Sequence, residues 1–443
     1  MSRTAPVETS SDRHMREIVR GASAAFLLKV FGALLTFCLY VAIGRLLGPA
    51  QSGRYFLALT VATVAAVIGR IGLDGTMLRL IAGNAAVEDW VAVRGVYRTG
   101  MTIGLAGSAA ATVLVALLAP LLAAQLFADT DLVQPIRWMA FSIVPSALIV
   151  LTARALLGLK QVRDANLVND VGVPAVALAS VGLLVPRAGM IGAVWSYTVA
   201  ALITMIFGLW RWREAAPQLR HLRGAFQPRA VLQSCVPLYW VACLQLVMNW
   251  TSTLALGMWA TPRDVGIFGV ANRTATLTSF ILLAVNNIAA PKFAALHRAG
   301  DIATLGRVAR DSARLMALVS APILVICLLV PGPVMRLFGA EFASGANVLS
   351  VLAMGQFVNV VTGSVGFLLI MCGYEGLYRN AFLFCAAISI GLNVLLIPRF
   401  GIMGAAVATA GSLALQNLIA AAMVWRKLGV VTIPFLWARS EAP

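Results

Sequence analysis

Charge is what this 443-residue chain has least of. Asp, Glu, Lys and Arg make up only 12% of it, about half the share of a soluble domain. With 60% hydrophobic residues and a mean hydropathy of +0.89, that shortage excludes an ordinary water-facing globular protein. Histidine is nearly missing too. His14, His221 and His297 sit in polar connections without partner spacing, so no metal site is expected. The six cysteines (38, 235, 243, 327, 372 and 385) show no C-x-x-C spacing and lie within or at the ends of apolar stretches. They read as small core residues, not as disulfides or metal ligands. The chain has no G-x-S-x-G, no Walker A loop, no H-E-x-x-H and no carboxylate pair in a polar loop. These absences exclude the common catalytic schemes, ATP hydrolysis by this chain, and any cofactor that such motifs would hold. The net charge of +17 does not indicate a nucleic-acid partner, because the cations alternate with hydrophobic spans.

Long apolar runs are abundant. A bilayer core needs about 20 apolar residues per helix. Spans are expected at 22–43, 55–80, 101–126, 136–157, 167–185, 190–210, 232–258, 270–291, 314–337, 346–371, 381–397 and 403–425. Only a helix bundle suits such runs, since lipid cannot satisfy open backbone groups. The expectation is an all-α polytopic membrane protein of about 12 transmembrane helices. Its divisions are a cytoplasmic tail over 1–21, a six-helix lobe over 22–210, a cytoplasmic linker over 211–231, a second six-helix lobe over 232–425 and a cytoplasmic tail over 426–443. With the N-terminus inside, the inner segments hold 24 Lys/Arg and the outer loops hold 8. That bias puts both termini in the cytoplasm.

The two lobes carry the same landmarks in the same order. Pro49-x-x-x-Gly53-x-Tyr55 recurs as Pro262-x-x-x-Gly266-x-Phe268, Leu126-Phe127 as Leu337-Phe338, and Pro186-Arg187-x-Gly189-x-x-Gly192-Ala193 as Pro398-Arg399-x-Gly401-x-x-Gly404-Ala405. The offsets are 213, 211 and 212 residues. Six spans per half is even, so the repeats share one topology about an axis along the membrane normal. Paired bundles of this kind are a common build for transporters that alternate access across a central cleft.

Charges inside the spans are costly and mark candidate sites. Lys29 lies seven residues into span 1, roughly 10 Å deep at ~1.5 Å per residue. Span 2 runs back and brings Arg70 and Asp74 to a similar level. These cations could hold an anion; equally, Lys29 could snorkel while Arg70 and Asp74 neutralise one another at i,i+4. Arg273 stands near the outer end of span 8, either as an interface anchor or as an outer-side counterpart of that cluster. The second half carries amides instead, among them Asn249, Asn286, Gln356 and Asn359. Amides can hydrogen-bond sugar hydroxyls, and Trp250 beside Asn249 could stack on a sugar face. Interhelical hydrogen bonding is the plainer role for each. Asp74 and Asp170 are the intramembrane carboxylates and hence the candidates for ion coupling.

IGRLLGPAQSGRYFLAL (43–59), IGLDGTMLRLIAG (71–83) and TPRDVGIFGVANRTATL (261–277) resemble the polysaccharide flippases. These are the O-antigen and exopolysaccharide transporters of the multidrug/oligosaccharidyl-lipid/polysaccharide exporter superfamily. The resemblance implies a V-shaped pair of six-helix lobes. It implies movement of a polyprenyl-diphosphate-linked oligosaccharide from the inner to the outer leaflet of the bacterial inner membrane. Lys29, Arg70 and Arg273 would then meet the diphosphate, and Arg273 matches the position of the span-8 arginine in the lipid II flippases. Asn249, Trp250, Asn286, Gln356 and Asn359 would meet the glycan. Many polysaccharide flippases carry an Asp midway in span 7, where this chain has Asn249. Lipid II flippases usually have fourteen spans, against twelve expected here. Membrane lipids, a polysaccharide polymerase and assembly proteins are the expected partners. A drug/cation antiporter of the same superfamily and a non-transport scaffold for glycan assembly remain as alternatives.

Overall fold

The computed structural model of the protein describes residues 10–219, 222 and 228–433. Residues 1–9 of the expected N-terminal tail, most of the central linker after Leu219, and residues 434–443 lie outside the described residues. All regular structure among the described residues is helical.

Three helices are too long to cross a membrane once. Helix α1 runs Ser10–Arg70, 61 residues. At ~1.5 Å per residue it would reach roughly 90 Å, three times the hydrocarbon core. It instead folds back at Gly48, where φ is 68° and ψ 175°. The Ser52 hydroxyl donates to the Ile43 carbonyl at 3.4 Å, although nine residues of continuous helix would separate them by about 13 Å. The downstream arm of α1 and then α2 (Leu73–Ala86) carry the chain back across. Helix α3 (Trp90–Leu121) follows, then α4 (Val133–Ala140) and α5 (Ile143–Gly158), which with the turn from Thr130 form one span bent by 42°. Short α6 (Val162–Asn166) leads through a π-helical turn, Leu167–Val171, into α7 (Gly172–Ala215).

Helix α7 reverses at Gly189 with φ 54° and ψ −134°. In the second half, α15 (Glu375–Leu428) reverses at Gly401 with φ 55° and ψ −131°. Residues with a Cβ are excluded from that backbone region, so glycine is required at both turns. Gly192 then faces the Leu184 carbonyl, and Gly404 the Leu396 carbonyl, too closely for a Cβ at either. The sequence repeat around Pro186 and Pro398 is thus one hairpin built twice. From the sequence, loops are expected between spans 1 and 2, 5 and 6, and 11 and 12; a single glycine makes each reversal instead.

The second half continues with α8 (Pro228–Trp259), α9 (Pro262–Thr276) and α10 (Phe280–Arg298). Helix α11 (Ile302–Leu329), short α12 (Pro331–Arg336), α13 (Ala346–Thr362) and α14 (Val365–Met371) precede α15. Seven helical stretches among the described residues are long and apolar enough to cross a membrane. The three that reverse supply two crossings each, the bent α4–α5 pair adds one, and α9 with α10 adds the last. Counted this way, the described residues make twelve crossings, six in each half.

The halves meet most extensively where α1 packs on α9, at the end opposite the Ala215–Pro228 connection. Here the Pro-x-x-x-Gly repeats oppose one another. Gly53 lies against the Pro262 carbonyl and Gly266 against the Pro49 carbonyl, with no room for a Cβ at either. Buried Tyr55, Phe56, Phe268, Phe338 and Phe342 gather in one core shared by both halves. Arg45 Nε donates to the Leu337 carbonyl at 2.7 Å, and Phe37 meets Phe338 edge-to-face at 5.4 Å. This far end is closed.

Candidate functional site

Below the closed end lies a cavity of about 480 Å³. Spans 1, 4, 5 and 6 of the first half line it, and the lower part of α9 reaches in from the second. Its charged residues are Lys29, Asp170 and Arg273; Thr36, Tyr40, Ser146, Asn169, Tyr197 and Thr276 add polar atoms. The volume is ordinary for a ligand site, and two cations to one carboxylate suit an anionic ligand.

Each charged group is positioned by a local device. Arg273 sits three turns into α9. That helix starts at Pro262, behind a capping box in which Thr261 and Asp264 satisfy one another's backbone. The start is eight residues earlier than the apolar pattern implies, so Arg273 lies deeper than the outer-end position expected from sequence. Its guanidinium stacks on two rings of α1, 4.6 Å from the centre of Tyr40 and 4.1 Å from that of Phe56. Such stacking contributes about 0.5–2 kcal/mol and fixes the plane of the fork. Nη1 donates to the Gly269 carbonyl at 3.1 Å. A residue of the second half is thereby held on the first.

Asp170 stands in the π-helical turn Leu167–Val171. Its Oδ1 accepts from Asn169 Nδ2 at 2.7 Å, and its Oδ2 is buried without a hydrogen-bond partner. Gly32 of α1 lies against the Asp170 carbonyl, so tightly that a Cβ would overlap it. That contact sets the distance between this turn and Lys29, which is one helical turn away on α1. π-turns commonly occur at functional sites because the extra residue redirects a side chain.

Arg70 and Asp74 do not line this cavity. Helix α1 ends at Arg70, and the backbone breaks at Ile71 (φ 49°) and Gly72 (φ 76°) before α2 begins. Arg70 Nε donates to Asp74 Oδ1 at 2.9 Å across that break. Lys29 lines the cavity and Arg70 does not, so the expected pairing of the two at one wall is not what the structure shows. Mutual neutralisation of Arg70 and Asp74 at i,i+4 is what it contains.

The amides are dispersed. Asn249 is exposed and Trp250 half-buried on α8, and neither lines the cavity. Asn286 is buried on α10 with its carboxamide oxygen unpartnered. Asn359 Nδ2 donates to Gln356 Oε1 and to Ser279 Oγ, at 3.2 Å each, and Ser279 donates to Gln356. That triad ties α13 to the turn at Ser279, just beyond the cavity-lining Thr276 and Leu277. Sequence reasoning overlooked the hydroxyls of Tyr40, Ser146 and Tyr197. Hydroxyls are common in spans; the one available signal was that Tyr197 falls in mid-span, away from the interfacial belt.

The polysaccharide biosynthesis protein family model matches residues 18–297, more than half of the chain. The chain belongs to that family. A second model, MatE, matches residues 237–398. The family's members in the multidrug/oligosaccharidyl-lipid/polysaccharide exporter superfamily are multi-pass membrane transporters, not enzymes, and this chain is one of them. Among curated proteins, it is 22% identical over 409 residues to the probable low-salt glycan biosynthesis flippase Agl15 of Haloferax volcanii, covering 91% of this chain and 82% of that one. It is 29% identical over 178 residues to the probable flippase AglR of the same organism, covering 39% and 37%. Among solved structures, an inward-facing multidrug resistance transporter of the superfamily superimposes with a TM-score of 0.74 at 12% identity, covering 91% of this chain and 98% of the other. The lipid II flippase MurJ in an inward closed conformation gives 0.72 at 11% identity, covering 90% and 86%. At such identities these two structures carry the fold alone. The expected all-α membrane transporter fold is therefore met by family and by fold.

Proposed function

We propose that this protein flips a polyprenyl-diphosphate-linked oligosaccharide from the inner to the outer leaflet of a bacterial inner membrane, for O-antigen or exopolysaccharide synthesis. The observation that carries the reading is the cavity between the halves, closed at one end and holding Lys29 and Arg273. The two relatives named as probable flippases support it. The charge asymmetry of the loops supports cytoplasmic termini, so the closed end faces outward and the cavity is loaded from inside.

The diphosphate meets Lys29 first and Arg273 above it. A unit charge pair at 4 Å interacts by about 1 kcal/mol in water but about 4 kcal/mol at an effective dielectric of 20, so confinement selects the charged headgroup. Tyr40, Tyr197, Ser146, Thr36 and Asn169 then offer hydroxyl and amide contacts to the first sugars, while the lipid tail remains in the bilayer. This shifts the glycan contacts from the second-half amides to the first half. Opening of the α1–α9 contact releases the headgroup outward. An inside-negative potential favours that direction by ~2.3 kcal/mol per charge per 100 mV. Of the two carboxylates, Asp170 is the coupling candidate, because it shares the cavity with both cations. A drug/cation antiporter needs carboxylates free to take its cation, and the single cavity carboxylate here is accompanied by two cations.

The test is mass spectrometry of lipid-linked glycans and surface polysaccharide in a strain lacking the protein and complemented with variants at equal protein level. Lys29→Ala and Arg273→Ala are each expected to lower export about tenfold or more and to accumulate polyprenyl-diphosphate oligosaccharide, as expected for loss of a charge-assisted contact of about 1.5–3 kcal/mol. Unchanged export in both would overturn the headgroup role.

A further inference from the structure

The turn carrying Asn169 and Asp170 is an irregular piece of backbone at the cavity wall. A π-turn is a poor structure in isolation, and α6, which leads into it, is only five residues long. What holds it comes from the second arm of α7. Three residues there, spaced four and three apart, fall on one helix face: Thr204, Gly208 and Arg211. Thr204 lies against Gly172, where a Cβ would overlap it. A Cβ on Gly208 would stand 2.9 Å from Val168 Cγ1, so the π-turn lies directly on that glycine. Arg211 completes the face. Its Nη2 donates to Asp164 Oδ1 at 2.8 Å and Oδ2 at 2.7 Å, and its Nη1 to Glu214 at 2.6 Å. Asp164 is 7% exposed, and the pair joins residues 47 apart in sequence.

We infer that Arg211 and Asp164 are a positioning pair for the substrate cavity: by fixing α6 they set where the Asn169–Asp170 turn stands relative to Lys29. The inference rests on the reading that this cavity binds the diphosphate headgroup. Neither residue lines the cavity, so neither touches substrate. Their effect passes through a packed, continuous contact. At Thr204 and Gly208 the contacts are close van der Waals ones. Of these three layers, the ion pair is the directional one, resisting sliding and rotation of α6 against α7. Because Nη2 alone serves both Asp164 oxygens, a lysine ammonium can keep that contact as a point charge while giving up the Nη1 contact to Glu214.

The experiment uses the full chain purified in detergent, with inorganic pyrophosphate as headgroup probe in calorimetry. Positioning changes behind a site are worth roughly 0.5–2 kcal/mol, so Arg211→Met and Asp164→Asn are expected to weaken the pyrophosphate Kd about 3- to 30-fold. Arg211→Lys is expected to stay within about twofold of the parent. A purely structural pair would lower the folded fraction and leave the Kd of folded molecules unchanged. A second readout needs no ligand. In Asn169→Cys, modification of position 169 by a membrane-impermeant maleimide is followed by peptide mapping, which reads that cysteine apart from the native ones. Asp164→Asn is expected to change its rate by about threefold or more, the equivalent of ~0.7 kcal/mol. Equal pyrophosphate affinity together with an equal labelling rate would overturn the positioning role. If the parent does not bind pyrophosphate, the headgroup reading fails. The labelling rate then decides the positioning role by itself: a changed rate upholds control of the turn, and an unchanged rate ends it.

Discussion

Gly53→Val and Gly266→Val are each expected to open the far end of the bundle and to cut export at unchanged protein level. The reason is reciprocal backbone contact. Gly53 lies on the Pro262 carbonyl and Gly266 on the Pro49 carbonyl, at equivalent places in the two repeats. The obstacle to a side chain is backbone oxygen at the start of a helix, which has no rotamer to change. The helices must separate. Overpacking of this kind costs typically 1–3 kcal/mol, and the closed state bears that cost while a state with α1 and α9 apart does not. An imbalance of 1–3 kcal/mol moves a two-state equilibrium about 5- to 150-fold. Spin labels at the exposed positions Gln51 and Arg263 would report it, as a short-distance population giving way to a longer one. A distance distribution matching the parent, with export intact, would show that this contact does not hold the closed state.

Asp74→Asn is expected to destabilise the protein by about 3–5 kcal/mol, because it leaves Arg70 buried without its partner. The Arg70 side chain is 9% exposed, and its contact with Asp74 spans the backbone break at Ile71–Gly72. Ile71 is β-branched with a positive φ, a conformation that survives only where its surroundings impose it. Gly72 is held from the other half: a Cβ there would stand 2.7 Å from the Cys235 carbonyl oxygen and the Tyr239 amide nitrogen of α8. The double variant Arg70→Met/Asp74→Asn is expected to recover most of the loss, since removing both charges leaves no uncompensated ion. Heating series in detergent, read as the folded fraction, check both. A double variant as unstable as the single one would show that the pair does more than balance charge. Its export is equally informative: stable protein with full export is expected of a residue outside the cavity, whereas stable protein without export would return Arg70 to the diphosphate-binding set.

The membrane class was legible because hydropathy is a local property, summed over a length that the bilayer fixes. The duplication was legible because the repeats are held by glycines and prolines, residues whose backbone demands leave a mark in the sequence. Gly189 and Gly401 share one unusual conformation, and Gly53 and Gly266 one close approach, so their spacing survives where side chains have diverged. Lys29, Asp170 and Arg273 stood out as intramembrane charges, and all three meet in the cavity.

Their grouping was another matter. Arg70 is about as deep in its span as Lys29 by residue count, yet it pairs with Asp74 and lies outside the cavity wall. Arg273 counts as an outer residue on the apolar pattern, yet the capping box at Thr261 starts its helix earlier and carries it inward. Asp170 reaches the cavity through a π-turn that no periodicity announces. Hydropathy, spacing and recurring motifs were enough for a duplicated multi-span bundle, its cation-rich interior and its family. Which charges share a wall depends on how the helices turn and pack. One inserted or reversed residue rotates everything beyond it by about 100° per residue, while leaving composition and span length untouched.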